Sequence, residues 1–131
     1  MSSSNKSSLR TDRSRVRYLG AARSGTRAMW HMRLTSMALV PLTILFVWLV
    51  LKLAGGDYAY ARATLANPWW ALVMLLFLLT GVYHMEIGMR SIIDDYLHER
   101  HTKEWALAAN LFFAVAIGLA CVYSVLKIGF A

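Results

Sequence analysis

The stretch that decides the fold is residues 34–51, LTSMALVPLTILFVWLVL, which carries no charged side chain. Two longer uncharged stretches follow, residues 63–85 and residues 105–126. About 20 apolar residues in a helix, at ~1.5 Å each, cross the ~30 Å hydrocarbon layer of a bilayer. Because lipid offers the backbone no hydrogen-bond partner, such segments must be helical. The sequence therefore predicts an all-α integral membrane bundle of three transmembrane helices, near residues 34–53, 69–92 and 105–127.

Composition and charge support this class of protein. Of the 131 residues, 58% are hydrophobic and 16% are charged, against about 45–50% apolar residues in soluble domains. The net charge of +7 arises in residues 1–33, with eight basic residues and one acid, whereas residues 34–131 carry six of each. A folded nucleic-acid binder would spread its basic residues over one face, so no nucleic-acid partner is expected. We predict a basic cytoplasmic tail over residues 1–27 and a membrane-anchor domain over residues 28–131.

The same charge asymmetry sets a direction across the membrane. Basic residues beside a span keep that end in the cytoplasm, so three spans leave the N-terminus cytoplasmic and the C-terminus periplasmic. We expect a multi-pass protein of the bacterial inner membrane. The first apolar run exceeds the ~7–15 residues of a cleaved signal peptide. The Ser- and Arg-rich, acid-poor opening is also typical of an organellar transit peptide.

His84 is the residue least suited to a lipid-facing helix. At ~100° per residue, Gly88, Ser91 and Asp95 lie within about 40° of it on one helix face. An ionisable group within a span indicates a functional site by default. Two interpretations stay open: a neutral histidine hydrogen-bonded to a neighbouring helix, or an axial ligand of a haem iron. A b-type haem with two histidine ligands would need the second from another subunit, because the spans offer no other histidine at that depth.

Two groups of polar residues lie near the predicted cytoplasmic surface. Asp95 and Tyr96 are either ordinary residues of a helix exit or a site for a quinone headgroup, since a phenol donates to a carbonyl oxygen and a carboxylate handles protons. Arg27, His31 and Arg33 form a basic cluster at the start of the first span. This cluster is either the positive anchor of that span or a contact for the carboxylates of a cofactor such as haem.

The remaining polar residues of the spans favour structural roles. Glu86 and Arg90 stand four residues apart, which predicts an ion pair on the helix surface, and a transporter carboxylate at Glu86 is the alternative. Asn110 is a candidate for a hydrogen bond between helices, and the small residues Ala114 and Gly118 suit close helix packing. The single cysteine, Cys121, is predicted to be a packing residue.

The pattern His84-x-x-x-Gly88, with Asp95-Tyr96 eleven and twelve residues after the histidine, resembles the small membrane-anchor subunit of succinate:quinone oxidoreductases (succinate dehydrogenase, respiratory complex II). The first helix entry, with Gly25-Thr26-Arg27 and Arg33-Leu34-Thr35, is similar to that family too. The resemblance covers about residues 20–126. It implies that His84 binds haem b with a second ligand from a larger cytochrome b anchor, and that Asp95 and Tyr96 lie at the ubiquinone site. It also places Arg33 near the haem propionates, with Arg27 and His31 as further candidates.

The resemblance further implies a role within a larger enzyme. A flavoprotein subunit would hold FAD, an iron–sulfur subunit would hold the clusters, and electrons from succinate would reach ubiquinone at the membrane. The chain alone would not be catalytic, but would be a subunit of an oxidoreductase. Two alternatives remain from the residues themselves: a small proton-coupled transporter that uses Glu86, and a haem-free structural anchor.

Overall fold

A computed structural model describes residues 23–130. This part of the chain forms four helices and no strand: α1 (Arg23–Leu53), α2 (Tyr58–Ala66), α3 (Pro68–Tyr96) and α4 (Arg100–Phe130). Three stretches are long and apolar enough to cross a membrane: Thr26–Leu53 of α1, the whole of α3 and the whole of α4. The prediction of an all-α bundle with three transmembrane helices is confirmed. Each span begins before, or ends beyond, its predicted limits.

The N-terminal limit of the bundle lies within the segment predicted to be a tail. Helix α1 is already formed at Arg23, so residues 23–27 continue the first span as helix. Residues 1–22 of the predicted tail lie outside the described residues. Pro41 lies within α1, and the helix continues on both sides of it, as expected for a proline in a span.

The connection between the first two spans contains a helix that the sequence analysis did not predict. After Leu53 the chain turns through Gly55 and Gly56, and Asp57 then caps α2, its Oδ1 accepting a hydrogen bond of 2.8 Å from the backbone N–H of Tyr60. Asn67 caps α3 in the same manner, 3.0 Å from the N–H of Trp69. Helix α3 begins at Pro68, directly after this cap, and the uncharged stretch 63–85 is divided between two helices.

Helix α3 is the centre of the bundle. It packs against α1 on one side and α4 on the other, while α2 rests against α3 and α4. Towards α1, the rings of Phe46 and Phe77 stack with centroids 4.6 Å apart. Towards α4, Ala114 is buried, and a Cβ added to Gly118 would lie 3.9 Å from a methyl of Val82. The predicted close packing at the two small residues of α4 is confirmed.

The bundle leaves most of its apolar surface uncovered. In the most apolar 18-residue stretch of each spanning helix, only 17% of the residues in α1, 17% in α3 and 11% in α4 are buried within the chain. Large side chains such as Met37, Ile44 and Phe112 are mostly exposed. An apolar surface of this extent requires lipid or the helices of another protein to cover it. The chain is a multi-pass membrane protein.

Candidate functional site

The centre of the candidate site is a contact between α1 and α3. His84 of α3 is half-buried and turns its ring towards α1, with Nδ1 2.8 Å from Oγ1 of Thr35. Thr35 is buried, with 8% of its surface exposed. Its hydroxyl oxygen also lies 2.8 Å from the carbonyl oxygen of His31 and 3.0 Å from that of Met32, in the preceding turn of α1.

These three contacts together determine which ring nitrogen of His84 carries the proton. A hydroxyl has one hydrogen, and a carbonyl oxygen only accepts. If the hydroxyl of Thr35 donates to the carbonyls of His31 and Met32, its lone pair accepts the N–H of Nδ1, and all three contacts are attractive. The opposite assignment sets the lone pairs of the hydroxyl against two carbonyl oxygens. The geometry therefore favours a proton on Nδ1, and in the neutral form of the ring this leaves the lone pair on Nε2.

A histidine that binds iron through Nε2 must have the lone pair on Nε2 and the proton on Nδ1, which is this tautomer. Among the residues that the structure describes, Nε2 of His84 has no hydrogen-bond partner. The first interpretation of His84 was a hydrogen bond to a neighbouring helix. Nδ1 makes such a bond with Thr35, but this explains one of the two ring nitrogens only. Nε2 is available to a metal, and this is the observation on which the haem interpretation depends.

Gly88 lies one helical turn from His84 and also faces α1. A Cβ added there would lie 3.9 Å from the Cε of Met32, which is an ordinary van der Waals contact. The space that the missing side chain leaves is therefore closed by Met32, with room for one methyl group. Ser91, on the same predicted face, directs its hydroxyl to the carbonyl oxygen of Ile87 at 3.1 Å.

The basic cluster predicted at the start of the first span is split between two faces of α1. All three are exposed, but Arg27 and His31 line a groove, whereas Arg33 does not and stands about 160° around the helix from Thr35. Arg33 therefore projects away from α3. A run of seven residues makes nearly two helical turns, so residues that are close in sequence can point in opposite directions.

The groove lies along α3 between α1 and α4 and has a volume of about 670 Å³. Its apolar part is formed by the side chains of all three helices, and its polar part contains Arg27, His31, Tyr83, Glu86 and Arg90. The hydroxyl of Tyr83 is 3.2 Å from Nδ1 of His31, and the two rings meet edge to face with centroids 5.9 Å apart. His84 is not among the residues that line the groove.

The charge of Glu86 is neutralised within its own helix. Arg90 donates to Oε1 of Glu86 from Nη2 at 2.7 Å and from Nε at 3.1 Å, while Glu86 itself is buried. Asn110 of α4, also buried, donates to the backbone carbonyl oxygen of Glu86 at 3.0 Å. The predicted ion pair and the predicted hydrogen bond between helices are both confirmed. A carboxylate engaged in this way favours a structural role over that of a transporter's proton carrier.

Asp95 and Tyr96 form the last turn of α3 and are both exposed, Tyr96 by 79%. Eleven residues of helix place Asp95 about 16 Å along the axis from His84. The neighbouring Asp94 pairs with Lys103 of α4 at 2.8 Å, which ties the end of α3 to the start of α4. The structure thus presents a carboxylate and a phenol on consecutive residues at one end of the bundle, both exposed to a bound molecule or to another subunit.

Two contributors to the site were missed by the sequence analysis as individual residues. Thr35 was named only in the resemblance at the first helix entry, and Tyr83 was not identified. A hydroxyl inside a predicted span was the available signal, because a buried hydroxyl needs a partner. The identity of that partner depends on which faces of the helices meet.

Comparison with known proteins gives one consistent result. The family model described as succinate dehydrogenase/fumarate reductase transmembrane subunit matches residues 7–122. The succinate dehydrogenase hydrophobic membrane anchor subunit of Paracoccus denitrificans is 33% identical over 119 residues, which cover 91% of this chain and 92% of that protein. The subunit of the same name from Rickettsia bellii (strain RML369-C) is 24% identical over 106 residues, or 81% of this chain and 85% of that protein.

Proposed function

The chain belongs to the succinate dehydrogenase/fumarate reductase transmembrane subunit family, and we propose that, as a membrane anchor of succinate dehydrogenase, it binds a b-type haem through His84 and forms part of the ubiquinone-reducing site. The observation that carries the haem assignment is a ring whose Nδ1 is hydrogen-bonded to Thr35 at 2.8 Å and whose Nε2 has no partner among the described residues. Imidazole ligands of metals commonly have their second ring nitrogen engaged in this way.

The fit of the residues to a haem can be judged from the chain itself. His84 would supply one nitrogen ligand to the iron through Nε2, since Nδ1 is occupied by the contact with Thr35. We propose that the second ligand comes from a larger cytochrome b anchor subunit, whose helices also cover part of the exposed apolar surface. The haem, when bound, supplies a site that accepts and releases one electron.

The candidate contacts for haem propionates lie on two different faces of α1. Arg27 and His31 lie on the groove side of α1, and Arg33 lies on another face of the same helix. We propose that whichever of these faces meets the cytochrome b subunit provides the propionate contacts. A guanidinium is well suited to this task because it binds carboxylates through two parallel N–H groups.

At the end of α3, Asp95 and Tyr96 are proposed to bind ubiquinone. The phenol of Tyr96 donates a hydrogen bond to a quinone carbonyl oxygen, and the carboxylate of Asp95 orients or transfers a proton. Reduction of ubiquinone to ubiquinol takes up two electrons and two protons, so a proton-handling group at a water-accessible helix end suits the reaction. Electrons reach this site from succinate through iron–sulfur clusters of a partner subunit.

The remaining partners follow from the same proposal. FAD and the iron–sulfur clusters belong to a flavoprotein subunit and an iron–sulfur subunit, which dock on the cytoplasmic side of the bacterial inner membrane. The N-terminus is cytoplasmic and the C-terminus periplasmic, because the basic residues of the first quarter hold that end inside. The chain by itself catalyses no reaction.

The experiment that tests the haem assignment is a reduced-minus-oxidised absorption spectrum of the purified complex. We expect His84→Ala to abolish the b-type absorption. His101→Ala is the matched control, because His101 is exposed in the first turn of α4, and its spectrum should equal that of the wild type. Unchanged b-type absorption in the His84→Ala complex would overturn the assignment.

One alternative is favoured by a specific observation. The bond between His84 and Thr35 joins two helices, and this contact by itself suits a haem-free structural anchor. The same spectrum separates the two functions: a wild-type complex that contains all its subunits and no b-type haem would support the structural anchor.

A further inference from the structure

We propose that Thr35 is a positioning residue for the iron ligand, which fixes the tautomer and the rotation of the His84 ring and thereby sets the redox potential of the haem. This inference rests on the proposed function, since it requires His84 to bind the haem. It concerns a residue that makes no contact with the iron, and its evidence is the set of three contacts at the hydroxyl of Thr35.

The first step is that Thr35 offers an acceptor with a fixed position. Its hydroxyl lies 2.8 Å and 3.0 Å from two backbone carbonyls of its own helix, and its side chain is buried. Threonine in a helix takes the χ1 rotamers that bring Oγ1 to the preceding carbonyls, so a rotation of Oγ1 to follow a turned imidazole would break these two contacts. The ring must align with the oxygen instead.

The second step is that this oxygen excludes the alternative tautomer. Because its only hydrogen is directed to the carbonyls, it accepts from Nδ1 and cannot donate to it. A ring flipped by 180° would place a C–H group against the hydroxyl and lose the hydrogen bond. The lone pair is therefore kept on Nε2, and the direction of Nε2 is fixed by the α1–α3 contact.

The third step concerns the electronic effect on the iron. A hydrogen bond from the distal N–H of a ligating imidazole raises the basicity of the ligating nitrogen. A more basic ligand stabilises the ferric state over the ferrous state, which lowers the reduction potential. Removal of the acceptor at residue 35 should therefore raise the potential of the haem.

The chain offers a matched control on the next residue. The hydroxyl of Ser36 donates to the carbonyl oxygen of Met32 at 2.8 Å, but Ser36 is exposed and, within residues 23–130, makes no hydrogen bond to α3. Ser36→Ala thus removes a hydroxyl with the same backbone contact and leaves His84 untouched. Any effect common to Ser36→Ala and Thr35→Val belongs to the helix, not to the ligand.

The test uses the complete purified complex, with the haem potential from redox titration and the low-spin haem signal from electron paramagnetic resonance. For Thr35→Val, which keeps the shape of the side chain, we expect a raised potential, a shifted signal and haem binding weakened about 10-fold or more. Thr35→Ser retains the hydroxyl and should restore wild-type values, and Ser36→Ala should equal the wild type.

The outcomes separate this inference from the proposed function. If His84→Ala loses the haem while Thr35→Val keeps the wild-type potential and signal, the positioning role is wrong and the ligand assignment stands. If His84→Ala retains the haem, the proposed function fails and the inference with it. Should Thr35→Val not assemble, Thr35→Cys provides a weaker acceptor: an intermediate potential supports the inference, and a wild-type potential overturns it.

Discussion

The hydroxyl of Tyr83 on α3 lies 3.2 Å from Nδ1 of His31 on α1. In the contact between Thr35 and His84 the hydroxyl is on α1 and the histidine on α3, so the two pairs have the opposite arrangement. Tyr83 and His84 are consecutive, and His31 and Thr35 are one helical turn apart. Two histidine–hydroxyl pairs therefore join α1 to α3 side by side, each with its histidine on a different helix. The pairs differ in burial: Thr35 is buried, whereas His31 and Tyr83 are exposed.

This difference predicts that the two pairs can be separated by mutation. Tyr83→Phe removes one partly exposed hydrogen bond, and we expect a loss of about 0.5–1.5 kcal/mol in stability with the haem absorption unchanged. Thermal unfolding of the purified complex measures the first effect and its absorption spectrum the second. Tyr123→Phe is the control, because Tyr123 on α4 is exposed as well. Loss of haem in Tyr83→Phe would show that the two pairs act as a unit.

The exposed phenol of Tyr96 at the end of α3 predicts that its removal slows the reduction of quinone and not the oxidation of succinate. Tyr96→Phe should lower succinate:quinone turnover by up to about 10-fold, the equivalent of one lost hydrogen bond. Succinate oxidation with a soluble artificial acceptor should be unaffected, because that assay bypasses the quinone.

The control for that experiment is Tyr58→Phe on α2. Tyr58 is 81% exposed and Tyr96 is 79% exposed, so the two substitutions remove equally accessible hydroxyls from different parts of the chain. An equal loss of both activities in Tyr96→Phe would indicate a defect of assembly and would contradict a role in quinone binding.

The space between Gly88 and Met32 is large enough for one methyl group, so we expect alanine to be tolerated at residue 88. Gly88→Ala places its methyl 3.9 Å from the Cε of Met32, and replacement of glycine within a helix stabilises the helix by up to about 1 kcal/mol. We expect an unchanged haem spectrum and an equal or higher unfolding temperature. Gly118→Ala, with the same spacing to Val82, is the matched control. Loss of the haem in Gly88→Ala alone would mean that the cofactor, not Met32, needs this space.

The hydrogen bond from Asn110 to the backbone of Glu86 predicts a structural contribution from α4. Asn110→Ala removes a buried donor and leaves a small cavity, so the complex should lose about 1–3 kcal/mol of stability while both succinate assays stay at their wild-type level. Ser124→Ala is the control on the same helix, because Ser124 is exposed and its hydroxyl, in the part of the chain that the structure describes, bonds only to the carbonyl oxygen of Ala120. Stability equal to that of the wild type in Asn110→Ala would contradict a structural role for this bond.

The sequence by itself determined those features that depend on neighbours along the chain. The three spans follow from uninterrupted apolar runs, and the start of α3 follows from Asn67 and Pro68. The pair of Glu86 and Arg90 follows from a spacing of four residues in a helix. The short helix α2 was missed, although Asp57 provides the cap, because its nine residues lack a long apolar pattern.

Only the tertiary structure decided which side chains meet across helices. Thr35 and His84 are 49 residues apart, and which of the basic residues of α1 line the groove beside α3 is decided only when α1 is set against α3. The physical reason is that α1 is apolar on nearly all faces, since lipid covers whatever the bundle does not. Its pattern of hydrophobic residues therefore does not mark the face that packs on α3, and the rotation of the helix is set by packing and by the few hydroxyls that need partners.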